Sequence, residues 1–159
     1  MDATTMPSIL SLITRLSADY PDVTFAAGDD FAWSPVSHTV SYDPTRDDAA
    51  PSLLHELSHA ILGHSGYERD VALITMERAA WDHASSIAAT YDVTITPDHI
   101  EQTLDSYRDW LHARSTCPSC QATGVQTKKQ TYSCLACRHS WHVNEARICG
   151  LRRTQLQAI

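Results

Sequence analysis

A five-residue segment, His55-Glu56-Leu57-Ser58-His59, restricts the fold of this chain more than any other part of the sequence. In a helix the two histidines stand one turn apart, so both imidazoles can reach one metal ion, and Glu56 projects close to the open side of that ion. We therefore predict a buried helix that begins near Pro51 and ends at Gly63. Apolar residues surround the motif on that helix: Leu53, Leu54, Leu57, Ile61 and Leu62.

A catalytic metal ion needs a third protein ligand, because catalytic zinc sites use three such ligands and leave the fourth position to water. Five residues after the motif are candidates: His64, Glu68, Asp70, Glu77 and His83. We favour Glu77, because the middle of a second helix, predicted over about 68–90, holds a ligand more precisely than a turn does. Asp70, at the start of that helix, and His64, at the end of the first, stay open as alternatives.

These residue types in this order indicate a hydrolase. Zn²⁺ held by His55, His59 and Glu77 would lower the pKa of a bound water toward 7. Glu56 would take the proton from that water as it attacks a carbonyl group, and would pass the proton to the leaving nitrogen. The sequence therefore predicts a zinc metallopeptidase that hydrolyses a protein or peptide, with Glu56 as its catalytic residue.

A second metal site is predicted near the C-terminus. Four of the five cysteines form two Cys-x-x-Cys pairs separated by 13 residues: Cys117, Cys120, Cys134 and Cys137. Four thiolates at this spacing can close a tetrahedral site around one structural zinc ion. With strands expected at 125–128 and 131–133, the segment predicts a zinc ribbon. Cys149 is expected to be a small buried side chain, since four cysteines already complete the site.

Charge divides the chain into two parts. Residues 1–112 carry 18 acidic and 5 basic side chains, a net charge of −13, whereas residues 113–159 carry one acidic and seven basic side chains, a net charge of +6. Four zinc-bound thiolates would lower the second value to about +4. We therefore predict a catalytic domain over 1–114 and a zinc ribbon with a basic tail over 115–159.

The basic tail has two interpretations. Its basic and aromatic residues could bind nucleic acid through phosphate contacts and base stacking. These residues are Lys128, Lys129, Arg138, Arg147, Arg152, Arg153, Tyr132 and Trp141. A purely structural ribbon is favoured, because about +4 is a small charge for a dedicated DNA-binding surface. A different class of function also stays open: a non-catalytic zinc-binding interaction or nucleic-acid-binding module, in which both metal ions are structural.

The other segments predict an α+β fold. Apolar residues at helical spacing predict a helix at 8–18, and a further helix is expected from Pro97 to Ala113. Three segments rich in β-forming residues predict a small antiparallel sheet packed on the helices: 23–26, 31–33 and 37–42. No apolar run approaches the roughly 20 residues needed to cross a bilayer, and no secretion signal is recognised. We therefore expect a cytoplasmic protein with no membrane partner.

The stretch from His55 to His64, with Glu77 in the following helix, resembles the small gluzincin-type metallopeptidases of the ImmA/IrrE group. That resemblance implies a metal held by His55, His59 and Glu77, with Glu56 as the base. The same helix followed by a C-terminal zinc ribbon is similar to SprT/Spartan proteins, in which the third ligand is a histidine at a spacing that His64 does not meet.

Further segments extend the resemblance over nearly the whole chain, to uncharacterised bacterial metallopeptidases. They are residues 76–81, residues 107–114 and the Cys-x-x-Cys tail. By analogy with the ImmA and SprT groups, the substrate would be a DNA-bound repressor or a protein trapped on DNA.

Overall fold

The computed structural model describes residues 6–146 and 150–156 of the chain. Two residues named in the sequence analysis lie outside the described residues. They are Cys149, which is expected to be buried, and Arg147, which belongs to the basic tail. None of the described helices combines the length and the apolar character that crossing a membrane requires.

Contacts between residues divide the chain into two compact units. The first unit contains the residues up to Ser65 together with Met76–Ile100. The second unit contains Gly66–Thr75 together with the residues from Glu101 onward. The domain boundary expected between residues 114 and 115 stays a prediction, since these units are defined by packing and contain more than one chain segment each.

The described residues form an α+β fold with four α-helices and two small sheets. The elements before residue 65 are α1 (Ile9–Asp19), β1 (Thr24–Ala27), β2 (Ala32–Ser34), β3 (Thr39–Tyr42) and α2 (Ala49–Ile61). Two long helices follow, α3 (Asp70–Ala88) and α4 (Pro97–Ser115), and then β4 (Val125–Lys128), β5 (Thr131–Ser133), β6 (Ser140–Val143) and β7 (Arg153–Gln155). The predicted helices and the five predicted strands are confirmed at nearly the expected bounds, whereas β6 and β7 were not predicted.

The sheet of the first unit has the strand order β1-β3-β2. Strand β3 pairs antiparallel with β2 but parallel with β1, so the prediction of a purely antiparallel sheet is wrong. The turn residues after β1 suggest a hairpin with β2, but β3 lies between these two strands. The central position suits β3, because its alternate residues Val40 and Tyr42 are buried and the strand packs on α2.

Helix α2 supplies the centre of the core in the first unit. Its residues Leu53, Leu54 and Leu57 are fully buried, and α1 adds Leu12 and Leu16. Burial of several leucines in one helix contributes about 1.5–3 kcal/mol per side chain to folding. The helix that carries the histidine motif is therefore held by its own apolar face, independently of any metal ion.

The second unit contains a four-stranded antiparallel sheet, ordered β4-β5-β6-β7. Its core consists of Tyr132, Trp141 and Val143 packed with Cys117 and Cys134. Burial alternates along β6, where Trp141 and Val143 are buried and His142 is exposed. This two-residue period is visible in the sequence of residues 140–143, although β6 was not predicted.

A buried ion pair lies beside this sheet within the second unit. The Arg114 Nε atom donates to Oδ2 of Asp70 at 2.8 Å, and the Tyr132 hydroxyl donates to the same oxygen at 2.7 Å. The guanidinium also lies 4.5 Å above the ring of Trp110, and the Trp141 indole donates to the Arg114 carbonyl at 2.9 Å. Both charges are thus hydrogen-bonded, which is the condition for a buried ion pair to be tolerated. Burial and the hydrogen bond to Asp70 raise the pKa of Tyr132, so its hydroxyl stays protonated.

Gly124 is a position in the second unit where a larger residue would not fit. A Cβ atom there would lie 2.4 Å from Cη2 of the fully buried Trp141 and 3.0 Å from the carbonyl oxygen of Ser133. We expect Gly124→Ala to lower the free energy of unfolding by about 1–3 kcal/mol, the usual cost of overpacking. Urea denaturation followed by tryptophan fluorescence measures this change. Gly28→Ala is the control, because a Cβ at Gly28 meets no atom within 4 Å; equal losses in both variants would contradict the packing argument.

Candidate metal centres

Side chains from α2 and α3 converge at one point in the first unit. The His55 Nε2 atom lies 2.9 Å from Oε2 of Glu77, and the His59 Nε2 atom lies 3.5 Å from Oε1 of Glu77 and 3.1 Å from the His55 Nε2 atom. All three side chains are buried, and their potential ligand atoms lie within 4.8 Å of one another. One ion can contact an atom from each residue, so His55, His59 and Glu77 form a candidate metal-binding site, here called the His₂Glu site.

The helices place these side chains through simple spacing. His55 and His59 are one turn apart on α2, and their rings meet edge to face with centroids 4.6 Å apart. Glu77 and Trp81 are also one turn apart, on α3, and the Trp81 indole stacks on the His55 ring at 4.2 Å. This contact was not predicted from the sequence, although the four-residue spacing of Glu77 and Trp81 places both side chains on one face of a helix.

The electrostatics of the site favour the forms that bind a cation. Burial alone would raise the pKa of Glu77, but the hydrogen bonds to His55 and His59 outweigh burial and hold its pKa at about 2. Burial lowers the pKa of His55 against the opposing effect of Glu77. Glu77 is therefore a carboxylate and His55 a neutral imidazole near pH 7, which are the states that ligate metals. Two imidazoles and one carboxylate are a donor set that suits zinc and other transition metals.

Other candidates for the third ligand have partners elsewhere. Asp70 belongs to the buried ion pair of the second unit. His83 points its Nδ1 atom at the hydroxyl of Ser58, 3.0 Å away, and Glu68 is exposed. Among the residues that the structure describes, Glu77 is the candidate whose carboxylate meets the two motif histidines. Its role as a ligand stays a prediction.

His64 contacts the site from its outer side. Its Nδ1 atom lies 2.8 Å from Nδ1 of His59, the nitrogen on the opposite side of that ring from Glu77. His64 is therefore placed against one of the site's imidazoles, and it is not part of the three-residue cluster.

Glu56 is half-buried and follows His55 directly on α2. Burial raises the pKa of its carboxyl group to about 7, and the negative charge of Glu77 acts in the same direction. The His59 side chain and a hydrogen bond from the main chain of Trp33 oppose the shift. Both protonation states of Glu56 are thus populated near neutral pH, which is the property that a group transferring protons requires.

The four cysteines form a second candidate metal-binding site, in the second unit. The Cys117 and Cys137 Sγ atoms lie 3.6 Å apart, those of Cys120 and Cys134 lie 3.5 Å apart, and all four lie within 4.8 Å of one another. Main-chain hydrogen bonds, chiefly from Cys137, lower the pKa of Cys134 to about 7. The cluster is compatible with a zinc ribbon.

The two Cys-x-x-Cys segments adopt the same local structure. Each is followed directly by a residue of left-handed conformation, Gln121 at φ 65° and Arg138 at φ 62°. In each, the N–H of that residue donates to the carbonyl of the first cysteine, at 3.0 and 2.9 Å. The repeated turn brings both thiols of each pair to one side, so the pairs can face each other across one ion.

Within the described residues of the basic tail, the two aromatic side chains expected to stack on bases are not exposed. Tyr132 and Trp141 are buried and stack on each other with centroids 5.7 Å apart. Lys128, Lys129 and Arg138 are exposed. Of the two features expected for nucleic-acid binding, the described part of the tail therefore offers the cations but not these two aromatic residues.

No protein-family model matches the sequence, and no curated protein or solved structure shows significant similarity to it. The resemblance to the ImmA/IrrE and SprT/Spartan groups therefore rests on the motifs themselves and stays a prediction. What the chain does has to be inferred from the chemistry of the two candidate sites.

Removing the carboxylate of Glu77 should weaken the His₂Glu site. We expect Glu77→Gln to lower metal affinity by about 10–100-fold or more, since a neutral amide replaces a charged ligand and loss of a ligand costs at least as much as loss of its supporting partner. Competition with a chromophoric chelator measures the affinity. Asp82→Asn, an exposed carboxylate on the same helix, is the control. Unchanged affinity in Glu77→Gln would show that the third ligand lies elsewhere.

The two sites should bind two metal ions independently. Elemental analysis of protein purified without a metal-affinity tag is expected to find two ions per chain. The double variant Cys117→Ser/Cys120→Ser should lose one ion, and His55→Ala/His59→Ala the other. Cys149→Ser, which the sequence predicts not to be a ligand, should keep both. A single ion that depends only on the cysteines would contradict metal binding at the His₂Glu site.

Proposed function

We propose that the protein is a zinc-dependent metallopeptidase of the small gluzincin type with an added structural zinc ribbon. The observation that carries this proposal is the convergence of His55, His59 and Glu77, with the half-buried Glu56 next to His55 on the same helix. The same four residues carry the resemblance to the ImmA/IrrE group.

In this proposal His55, His59 and Glu77 hold the catalytic zinc ion. When bound, zinc supplies a Lewis acid that makes a water molecule easier to deprotonate and polarises the carbonyl of the scissile peptide bond. Glu56 accepts a proton from the attacking water as the new carbon–oxygen bond forms. It then gives that proton to the leaving nitrogen as the carbon–nitrogen bond breaks, which restores the Glu56 carboxylate and releases an amine and a carboxylic acid.

The packing around the site supports this chemistry. The stacked indole of Trp81 restricts rotation of the His55 ring, and the buried carboxylate of Glu77 contacts both imidazoles. Side chains fixed by packing give a ligand set whose geometry is formed before substrate arrives. The pKa of Glu56, at about 7, matches a residue that must accept and release a proton within one reaction.

The cysteine cluster is proposed to bind a structural zinc ion. Four thiolate ligands complete a tetrahedral site and leave no position for water, which is typical of structural rather than catalytic zinc. Binding of that ion would contribute directly to the stability of the small sheet around it. The substrate is proposed to be a protein or peptide. The resemblances favour a DNA-associated protein, to which the exposed cations of the tail would be suited.

The alternative is a non-catalytic module in which both ions are structural. Such a module has no use for Glu56, because a structural site needs only its ligands. A carboxyl group kept half-buried beside the ligands is costly to place without a role, which favours the peptidase.

Substitution of Glu56 separates these two functions. Glu56→Gln should reduce hydrolysis of a casein-type substrate by at least about 10²-fold, because the amide cannot accept the proton from water. The metal content and the thermal unfolding of this variant should match those of the unmodified protein. Glu68→Gln, an exposed residue outside the site, is the control and should retain activity. Full activity in Glu56→Gln would rule out the proposed mechanism.

A further inference from the structure

His64 contacts the His₂Glu site but has no part in the proposed chemistry. Its Nδ1 atom lies 2.8 Å from Nδ1 of His59, and the two rings meet edge to face with centroids 5.0 Å apart. We propose that His64 is a positioning residue that accepts a hydrogen bond from the Nδ1–H of His59 and so directs the Nε2 lone pair of His59 at the metal. This inference rests on the proposed function only in that the site must bind a metal.

The chemistry of imidazole determines which atom donates in this contact. The His59 Nε2 atom faces the His55 Nε2 atom and Glu77, at 3.1 and 3.5 Å. A neutral imidazole that offers the Nε2 lone pair to a cation carries its proton on Nδ1. With a metal ion on the Nε2 atom of His59, the proton of that ring is on Nδ1. Two N–H groups cannot face each other at 2.8 Å, so in the metal-bound state the Nδ1 atom of His64 is the acceptor and His64 carries its own proton on Nε2.

The main chain of His64 is fixed from both sides. Gly63 adopts φ 67°, a left-handed conformation that ends α2 and turns the chain back over the last helical turn. The His64 N–H then donates to the carbonyl of His59 at 2.9 Å. The His64 carbonyl accepts from the indole of Trp33, on β2, at 3.0 Å. An acceptor held in this way can restrict the ring of a ligand rather than merely follow it.

The two histidine ligands are supported by different means. The Nδ1 atom of His55 is buried and has no hydrogen-bond partner within the described residues. Its ring is restrained by the stacked Trp81 instead. The ring of His59 has its Nδ1 contact with His64. A substitution of His64 should therefore disturb the orientation of the His59 ring and leave that of the His55 ring unchanged.

Two substitutions of His64 separate the acceptor atom from the shape of the side chain. In asparagine, Oδ1 is bonded to Cγ as Nδ1 is in histidine, and it accepts a hydrogen bond. Leucine has a carbon atom at that position and cannot accept. We expect His64→Leu to weaken metal binding at the His₂Glu site by about 10–100-fold, the usual effect of losing a partner of a ligand. His64→Asn should keep an affinity close to that of the unmodified protein.

The measurement uses the full chain, with one equivalent of zinc added first to fill the cysteine cluster. Co²⁺ is then titrated, and its visible absorption reports binding at the second site. Absence of thiolate-to-cobalt charge-transfer bands confirms that the cysteines are not involved. Thermal unfolding of each variant shows whether the fold is kept.

Weaker Co²⁺ binding in His64→Leu, together with Co²⁺ binding in His64→Asn close to that of the unmodified protein, would support the proposal. Equal affinity in all three proteins would overturn it, and so would an equal loss in both variants, because the acceptor atom would then not matter. If the unmodified protein bound no Co²⁺ outside the cysteines, the metal centre itself would fail, and this inference with it. A protein that binds Co²⁺ as expected but cleaves no peptide would refute only the peptidase.

Discussion

The contact of a buried carboxylate with two imidazoles is the interaction on which the candidate site of the first unit depends. Glu77 is 5 % exposed, and a charge in such a place is tolerated only when it is paired and hydrogen-bonded. Its pairing with His55 and His59 brings α2 and α3 together at the motif, and the buried leucines of α2 hold that helix in the core. The contacts that stabilise Glu77 are therefore the same ones that gather three potential ligand atoms.

Helix α3 carries two buried carboxylates, Asp70 and Glu77, whose partners differ in charge. Asp70 pairs with Arg114, whose guanidinium is always charged, so the negative charge of Asp70 is balanced by the protein alone. Glu77 pairs with imidazoles, and burial favours the neutral form of His55. Neither imidazole is a permanently charged partner as a guanidinium is, so a bound cation could balance the charge of Glu77. This difference favours Glu77 over Asp70 as the ligand, and it comes from the partners, which sequence spacing alone does not reveal.

Much of the local structure could be predicted, because it follows from patterns within short segments. The spacing of apolar residues predicted helices α1 to α4, β-forming residues predicted β1 to β3, and the two cysteine pairs predicted β4 and β5 between them. The pairing of β1 with β3 could not be foreseen, since the turn residues after Ala27 are equally suited to a hairpin. Strand β7 carries little apolar signal, and it exists because Arg153–Gln155 pairs with β6. Long-range pairing decides such cases, and a single sequence shows it only weakly.

In the candidate sites, too, local spacing could be predicted from the sequence, whereas contacts between distant segments could not. The motif histidines and the four cysteines are recognisable because their spacing is local. The choice among Asp70, Glu77 and His64 depended on which side chains meet across the fold. The stacking of Trp81 on His55 likewise needed the crossing of two helices, although the four-residue step from Glu77 to Trp81 is visible in the sequence.

The four-stranded sheet of the second unit uses residues from well outside its own stretch of chain. Within the second unit, the Asp70 N–H donates to the Gln126 side chain at 2.7 Å, the Arg69 guanidinium donates to the Gln126 carbonyl, and the Trp141 indole requires the carbonyl of Arg114. A fragment that began at residue 115 would leave these groups without their partners. The tail is thus poorly suited to transplantation into another protein, and recombination that joined it to a new neighbour would have to bring the start of α3 and the end of α4 with it.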